Sequence, residues 1–339
     1  MEHELSYKIE KMPDIDVHKH NFMLQNSFEQ LHGGILLGNT DSVCKQFKHL
    51  GKYIVAPENA NGFLLYIPSN VASTSPIHID CCCDSPANLR NFIILEAGSS
   101  AKIMISYHTK IGWERGEVND NTEIILNKAA NLEMTRLSDV KSLTSETTVQ
   151  QDTSSHMKTY FVSKCKRKLY NKLRVNLNGK NAIHTVCSLS ITQHDEYIDN
   201  NVQIVHAAPE CASSQLFKHI LSNASKGAFT GRIIVNKESQ KTKAYQRSSN
   251  ILLNSRAKMN ISPQLEIYAD DVKCSHGATV GQLDEQALFY LRSRGIDNEI
   301  AKKMLLSAFA EEVINDISCK QFRNLSLKMA NIEKMFNII

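Results

Sequence analysis

The sequence predicts a mainly β protein with a helical C-terminal end, and three observations predict it. Between Phe63 and Val280 the apolar residues come in short bursts, "FLLYI", "NFIIL", "KIMISY", "TEIIL", "LRVNL", "VQIV", "RIIV", "ILL" and "LEIY", bounded by Asn, Gly, Ser, Pro or Asp. That is how strands alternate with turns. Most successive bursts are not separated by sequence of helical period, which argues against an ordinary sheet with crossover helices. After Gly281 the pattern changes to helical spacing. A sandwich or a solenoid of stacked coils satisfies all three.

The elements divide the chain into a short, partly helical N-terminal segment (1–60), a β core (61–280) and a C-terminal helical domain (281–339). Within the core, "SSQLFKHILS" (213–222) reads as a short helix or a turn. The Ser-, Thr- and Gln-rich stretch 138–156 reads as a surface connection because it nearly lacks large apolar side chains. In "KCKRKLYNKLR" (164–174), Lys164, Lys166, Lys168, Lys172 and Arg174 take even positions, while Cys165, Leu169 and Leu173 take odd ones. That is a strand with one wet face.

In the helical domain, Asp284 can N-cap "EQALFYLRSR", Gly295 is placed to end it, and Arg292 and Arg294 lie where the helix dipole favours cations. A second helix from about Asp297 carries Ile300, Ala301, Met304, Leu305, Ala308 and Phe309 as an apolar stripe. A third carries Phe322, Leu325, Met329, Ile332 and Phe336 at spacings of three and four. These faces can pack on one another, on the β core, or on another protein.

Composition limits function. A net charge of +4 on 339 residues leaves no footprint of a nucleic-acid or anionic-membrane binder. The N-terminus lacks the apolar core of a secretory signal, and no apolar run approaches the roughly 18–20 residues that span a bilayer. Nine scattered cysteines without a CxxC pair suit a reducing, cytoplasmic compartment better than a disulfide framework or a structural zinc site. No GxxxxGK[ST], GxSxG, HExxH or strand-linked GxGxxG occurs, so neither an ATPase nor a common hydrolase or dehydrogenase is indicated. Clustered acids with aromatic platforms, which a carbohydrate-active β-helix would need, are lacking, and Trp113 is the single tryptophan.

Two cysteine motifs invite chemistry. In "CCCD" (81–84) a strand would turn Cys81 and Cys83 one way and Cys82 the other, leaving at most two thiols for one ion. In "DDVKCSHG" (270–277), Cys274 and His276 would share a strand face with Cα atoms roughly 6.5–7 Å apart. That is too far for a nucleophile–base pair but suits two donors to a metal site whose other ligands come from elsewhere. A buried thiol beside a satisfied histidine is the competing reading.

Four stretches resemble the SufB/SufD family of the SUF iron–sulfur cluster assembly machinery, with the SufD branch the better match: 67–79, 171–182, 198–221 and the long block 227–296 that ends "DDVKCSHGATVGQLDEQALFYLRSRGI". The resemblance implies a right-handed parallel β-helix followed by a helical domain. It implies a non-enzymatic scaffold that pairs with a SufB-like paralogue through the end of the β-helix and binds a SufC-like ABC ATPase through its C-terminal helices, with Tyr290, Arg292 and Arg294 as the closest matches to the docking motif. It places a histidine implicated in cluster building on His276, as a transient ligand at the interface, with Cys274 its neighbouring thiol. The sulfur-accepting cysteines of the family belong chiefly to SufB. No permanently bound cofactor is implied, although reduced flavin accompanies the complex in the family. A homodimer that works without the paralogue is the alternative assembly. Relatives usually carry a longer N-terminal helical region than the roughly sixty residues that precede "FLLYIP" here.

Overall fold

The computed structural model describes residues 62–82, 87–108 and 117–332, together with short stretches between 6 and 53. Among the latter are five short strands (β1 Ser6–Lys8, β2 His18–Lys19, β3 Phe22–Met23, β4 Phe28–Gln30, β5 Leu36–Asn39) and a 3-10 turn at His32–Gly34. Across the first fifty-five residues, where a helix or two was expected, the described stretches are mainly strand with Thr40 helical, and the remainder lie outside the described residues.

From Phe63 the chain winds as a parallel β-solenoid. One ladder stacks β6 (Phe63–Ile67), β8 (Ala87–Leu95), β10 (Glu117–Leu126), the second half of β11 (Asn131–Gln151) and of β12 (His156–Leu177), then β14 (Tyr197–His206), β16 (Lys226–Val235) and β18 (Lys258–Ile267). The other stacks β7 (Ile77–Cys82), β9 (Ser100–His108), the first halves of β11 and β12, then β13 (Ile183–Thr192), β15 (Ala212–Leu221), β17 (Thr242–Leu252) and β19 (Val272–Gly281). Each inner strand therefore hydrogen-bonds to the coil before and the coil after, which satisfies the backbone without crossover helices.

One corner repeats in every coil. Asn70, Gly98, Ala129, Ser154, Asn181, Glu210 and Lys241 all have φ between 56° and 68°. Each donates its N–H to a carbonyl of the next coil's turn, from Asn70 to Ala97 (2.8 Å) through to Lys241 to Asp271 (2.6 Å). A left-handed residue costs a non-glycine side chain on the order of 1 kcal/mol, and the coil-to-coil bond offsets it.

The solenoid interior explains two departures from the sequence reading. The stretch 138–156 is not a surface connection. It forms most of the second half of β11, whose residues alternate between interior and surface with Ser145, Thr147 and Gln151 buried. The interior accepts these polar groups because a network runs through it: Ser145 Oγ donates to Asp120 (2.7 Å), Asn91 donates to Asp120 (2.7 Å), and Arg136 donates to Asn171. Residues 213–222 are strand β15, not a helix. Their alternation is hidden because Lys218 and Ile220, on the outer face, are covered by a helix and buried as well as Phe217, His219 and Leu221. The wet-face reading of 164–174 matches the structure. Cys165, Leu169 and Leu173 are buried, and Lys172 and Arg174 pair with Glu146 at 3.3 and 3.0 Å.

Three helices follow: α1 (Glu285–Ser293), α2 (Asn298–Ile314) and α3 (Lys320–Ala330). The Asp284 carboxylate caps Gln286 and Ala287, and Gly295 at φ 84° closes α1. On α2 the stripe read from spacing is turned. Ala301 lies inside with Leu306, Ala310, Val313 and Ile314, whereas Ile300 and Met304 are 54% and 46% exposed. The buried side packs on the outer faces of β12, β13 and β15, around Tyr160, Val162, Leu189, Ile191 and Ile220. Phe322 and Ile332 pack in the same cluster as expected, while Phe336 lies outside the described residues.

Candidate functional site

The last coil, made by β18 and β19, closes nothing. β18 pairs with β16 and β19 pairs with β17, and no described strand takes the outer edge of either. The interior-facing rows therefore end in the open. Thr242, Ala244 and Gln246 of β17 are buried, and their in-register partners are Val272, Cys274 and His276. On the neighbouring strand, Met259 and Ile261 are partly buried and continue the apolar floor, with Leu265 beside Ile233 and Val235. Pro263, which has no N–H to offer a further strand, sits where only an end coil tolerates it.

His276 and Cys274 thus share one face, as the strand period requires. Cys274 is half-buried against Val235, Ala244 and Ala269, while His276 is exposed. Burial raises the Cys274 thiol above its ordinary pKa, a backbone hydrogen bond at Ala244 only partly opposing it, so the protonated thiol is favoured. Elsewhere burial pushes Cys165 and Cys187 up to about 12, which makes them inert packing thiols. Cys81 is buried and Cys83 lies outside the described residues. Among the described residues no group of three or more His, Cys, Asp or Glu side chains is placed to hold a metal ion.

The helical end presents a different surface. α1 has no buried residue, and Phe289 and Tyr290 are 71% and 58% exposed. Arg294 stacks over the Tyr290 ring at 5.4 Å, and Arg292 is exposed in the last turn. On α2, Ile300 and Met304 are exposed apolar side chains as well. Sequence reasoning singled out Tyr290 but missed Phe289, and it took the outward Ile300 and Met304 for part of an undivided stripe. Beneath, α2 and α3 are fastened to the solenoid. Buried Lys218 donates to the Phe309 carbonyl (2.9 Å) and pairs with Glu312, which also meets Arg247; Tyr160 donates to Asp316 (2.6 Å); Glu133 accepts from the Ser318 N–H (2.9 Å).

Residues 83–309 match the SufBD core domain of the SUF system for FeS cluster assembly. The chain belongs to the SufBD family. It is 41% identical to the iron–sulfur cluster assembly protein SufD of Escherichia coli (strain K12) over 145 residues, 43% of this chain and 34% of that protein. It is 31% identical to the chloroplastic protein ABCI7 of Arabidopsis thaliana over 252 residues, 70% of this chain and 51% of that protein. A Synechocystis SufBD family protein is 35% identical over 180 residues, 48% of this chain and 39% of that protein. The chain spans about half or less of the length of these relatives. Among the described residues no helix is long and apolar enough to cross a membrane.

A lateral groove of about 520 Å³ beside β9, β11, β12 and β13 is lined by Lys102, Lys158, Glu133 and His156 among others, with no Phe, Tyr or Trp in its wall.

Proposed function

We propose that this chain is a scaffold subunit in a complex of the SUF type. Its open solenoid end meets a paralogous β-helical subunit, its exposed helical face holds an ABC-type ATPase, and an iron–sulfur cluster is assembled where the two solenoids meet, with His276 as this chain's ligand. The observation that carries the reading is the position of His276: on an interior row, in the last coil, where no described strand covers that row.

The chemistry asked of the chain is small. A neutral imidazole nitrogen offers a lone pair to iron, and the paralogue supplies the remaining donors. The uncovered edges of β18 and β19 offer backbone groups to a partner strand, and the apolar floor of Met259, Ile261 and Leu265 offers area for burial. Because α2 and α3 are fastened to the solenoid, a displacement of the ATPase is carried to the solenoid end rather than lost in a loose hinge. The chain itself carries out no ATP hydrolysis.

Affinity purification of the chain from its own cells, with mass spectrometry of what accompanies it, tests the reading. Recovery of an ABC ATPase and a longer paralogue is the expected result. Recovery of a homodimer alone would replace it with a symmetric end-to-end pair, and ATP turnover by the pure chain would sink the scaffold role.

A further inference from the structure

The row that ends in His276 is polar beneath it. Gln215 of β15 and Gln246 of β17 are in register, and Gln246 is in turn in register with His276. Both glutamines are nearly sealed, at 2% and 3% exposure. Gln246 Nε2 donates to Gln215 Oε1 at 3.0 Å. What is left over is one buried carbonyl oxygen, Gln246 Oε1, and one buried amide nitrogen, Gln215 Nε2, neither with a hydrogen-bond partner. An unpaired buried polar atom costs on the order of 1–3 kcal/mol, so a free amide oxygen one coil below an exposed imidazole calls for a reason.

The surrounding backbone is shaped to the glutamine. A Cβ at Gly231 of β16 would lie 2.1 Å from Gln246 Nε2 and 2.8 Å from the Phe229 ring. The φ of Gly231 is ordinary, so a side chain there would meet the Gln246 amide and the Phe229 ring tip rather than strain the backbone. The amide therefore occupies space made by deleting a side chain from the facing strand. An apolar residue at 246 would have filled the same interior without leaving an oxygen unpaired.

We propose that Gln246 is the positioning residue for His276. Stacked coils lie roughly 4.8 Å apart, within reach of a glutamine amide and an imidazole in the same row. When one ring N–H of His276 donates to Gln246 Oε1, the imidazole is fixed in a single tautomer. Its other nitrogen, with its lone pair, is aimed out of the solenoid end. Gln215 holds the Gln246 amide in the orientation that leaves the carbonyl free. Histidine ligands generally have such a partner on the second nitrogen, and its loss costs roughly 10–100-fold in metal affinity or activity. This inference rests on the reading of His276 as an interface ligand, and it assigns no contact with the cluster to Gln246.

The test has a readout independent of activity. In the full chain, labelled with ¹⁵N at histidine, the His276 resonances, identified by their loss in His276→Ala, should report one tautomer; in Gln246→Leu they should report a mixture. Assembly rates in the complex should fall about tenfold or more in Gln246→Leu. Gln246→Glu, which still accepts the ring N–H, should restore most of the rate and move its acid limb to higher pH, because a carboxylate favours the protonated ring. Should Gln246→Leu not fold, Gln246→Glu against wild type keeps the test: an unmoved acid limb overturns the proposal. A His276 tautomer and an assembly rate unchanged by Gln246→Leu would likewise overturn it. If His276→Ala assembles clusters normally, the interface-ligand reading fails first; if His276→Ala is inactive while Gln246→Leu is normal, only the role of Gln246 fails.

Discussion

Lys218 of β15, buried at 3% exposure, is paired with Glu312 of α2 and donates to the Phe309 carbonyl at 2.9 Å, so a single ammonium joins the solenoid to the helical domain. It also lies over the Phe309 ring at 4.1 Å. Glu312 keeps Arg247 as a second, more exposed partner. Lys218→Met keeps the volume but removes the bond and the buried charge. We expect a loss of about 2 kcal/mol in urea unfolding, with amide exchange in α2 accelerating before that of the strands. A loss below about 0.5 kcal/mol would assign the attachment to Arg247 and the apolar contacts.

Arg136 and Asp120 form the most deeply sealed charge pair, 3.8 Å apart with side chains 2% and 1% exposed. Arg136 also covers the Phe161 ring at 4.2 Å and donates to Ser145 and Asn171. Removing one partner of a buried pair typically costs 3–5 kcal/mol, whereas removing both often costs little. Arg136→Met should therefore destabilise by about 3–5 kcal/mol, and Asp120→Asn added to it should recover much of that in a double-mutant cycle. Additive losses would show that the charges act independently.

Burial holds three histidines far below their ordinary pKa: His184 at about 3, with His206 adding to the effect, and His206 and His219 at about 4. Unfolded, each titrates near 6.5. Between those values the unfolded chain binds protons that the folded chain refuses, so their contribution is intact above about pH 6.5 and is lost as pH falls toward 4. Each adds a slope of up to about 1.4 kcal/mol per pH unit, or about 4 kcal/mol for the three. Glu196, raised to about 7 chiefly by burial, works the other way between pH 7 and 4.5 and softens the upper part of the fall. Cooperative acid unfolding near pH 4–5 is expected. His206→Gln should flatten the slope by about a third, and an unchanged slope would mean that the ring is already protonated in the fold.

The sequence made the strands legible wherever the interior is apolar, as in "FLLYI" and "RIIV", and the helices wherever caps punctuate them, as at Asp284 and Gly295. It concealed β11 because the solenoid interior there is built from polar residues, Ser145 and Thr147 beside the Arg136–Asp120 pair and Gln151 against His184, which imitates a loop composition. It concealed β15 because Lys218 is buried by a helix more than eighty residues later in the chain. His276 was singled out through the family resemblance, and its shared face with Cys274 through the strand period. Gln246 was not found, since a glutamine on an interior row differs from one on a wet face only when the register of three strands is known.

The outward face of the helical domain yields the sharpest separation of stability from function. Phe289 and Ile300 are 71% and 54% exposed and lie on two helices joined by a short turn at Gly295. Neither is buried by this chain, so Phe289→Ser with Ile300→Ser should change folding stability by no more than about 0.5 kcal/mol. Apolar anchors at the centre of an interface, by contrast, cost 2 kcal/mol or more when truncated, roughly thirtyfold in affinity each. We therefore expect the double variant to fold, keep its acid-unfolding profile and still recover the β-helical partner while losing the ATPase in affinity purification. Retention of the ATPase would place its docking elsewhere on the chain, whereas loss of both partners with a normal melting curve would mean that the two interfaces form cooperatively.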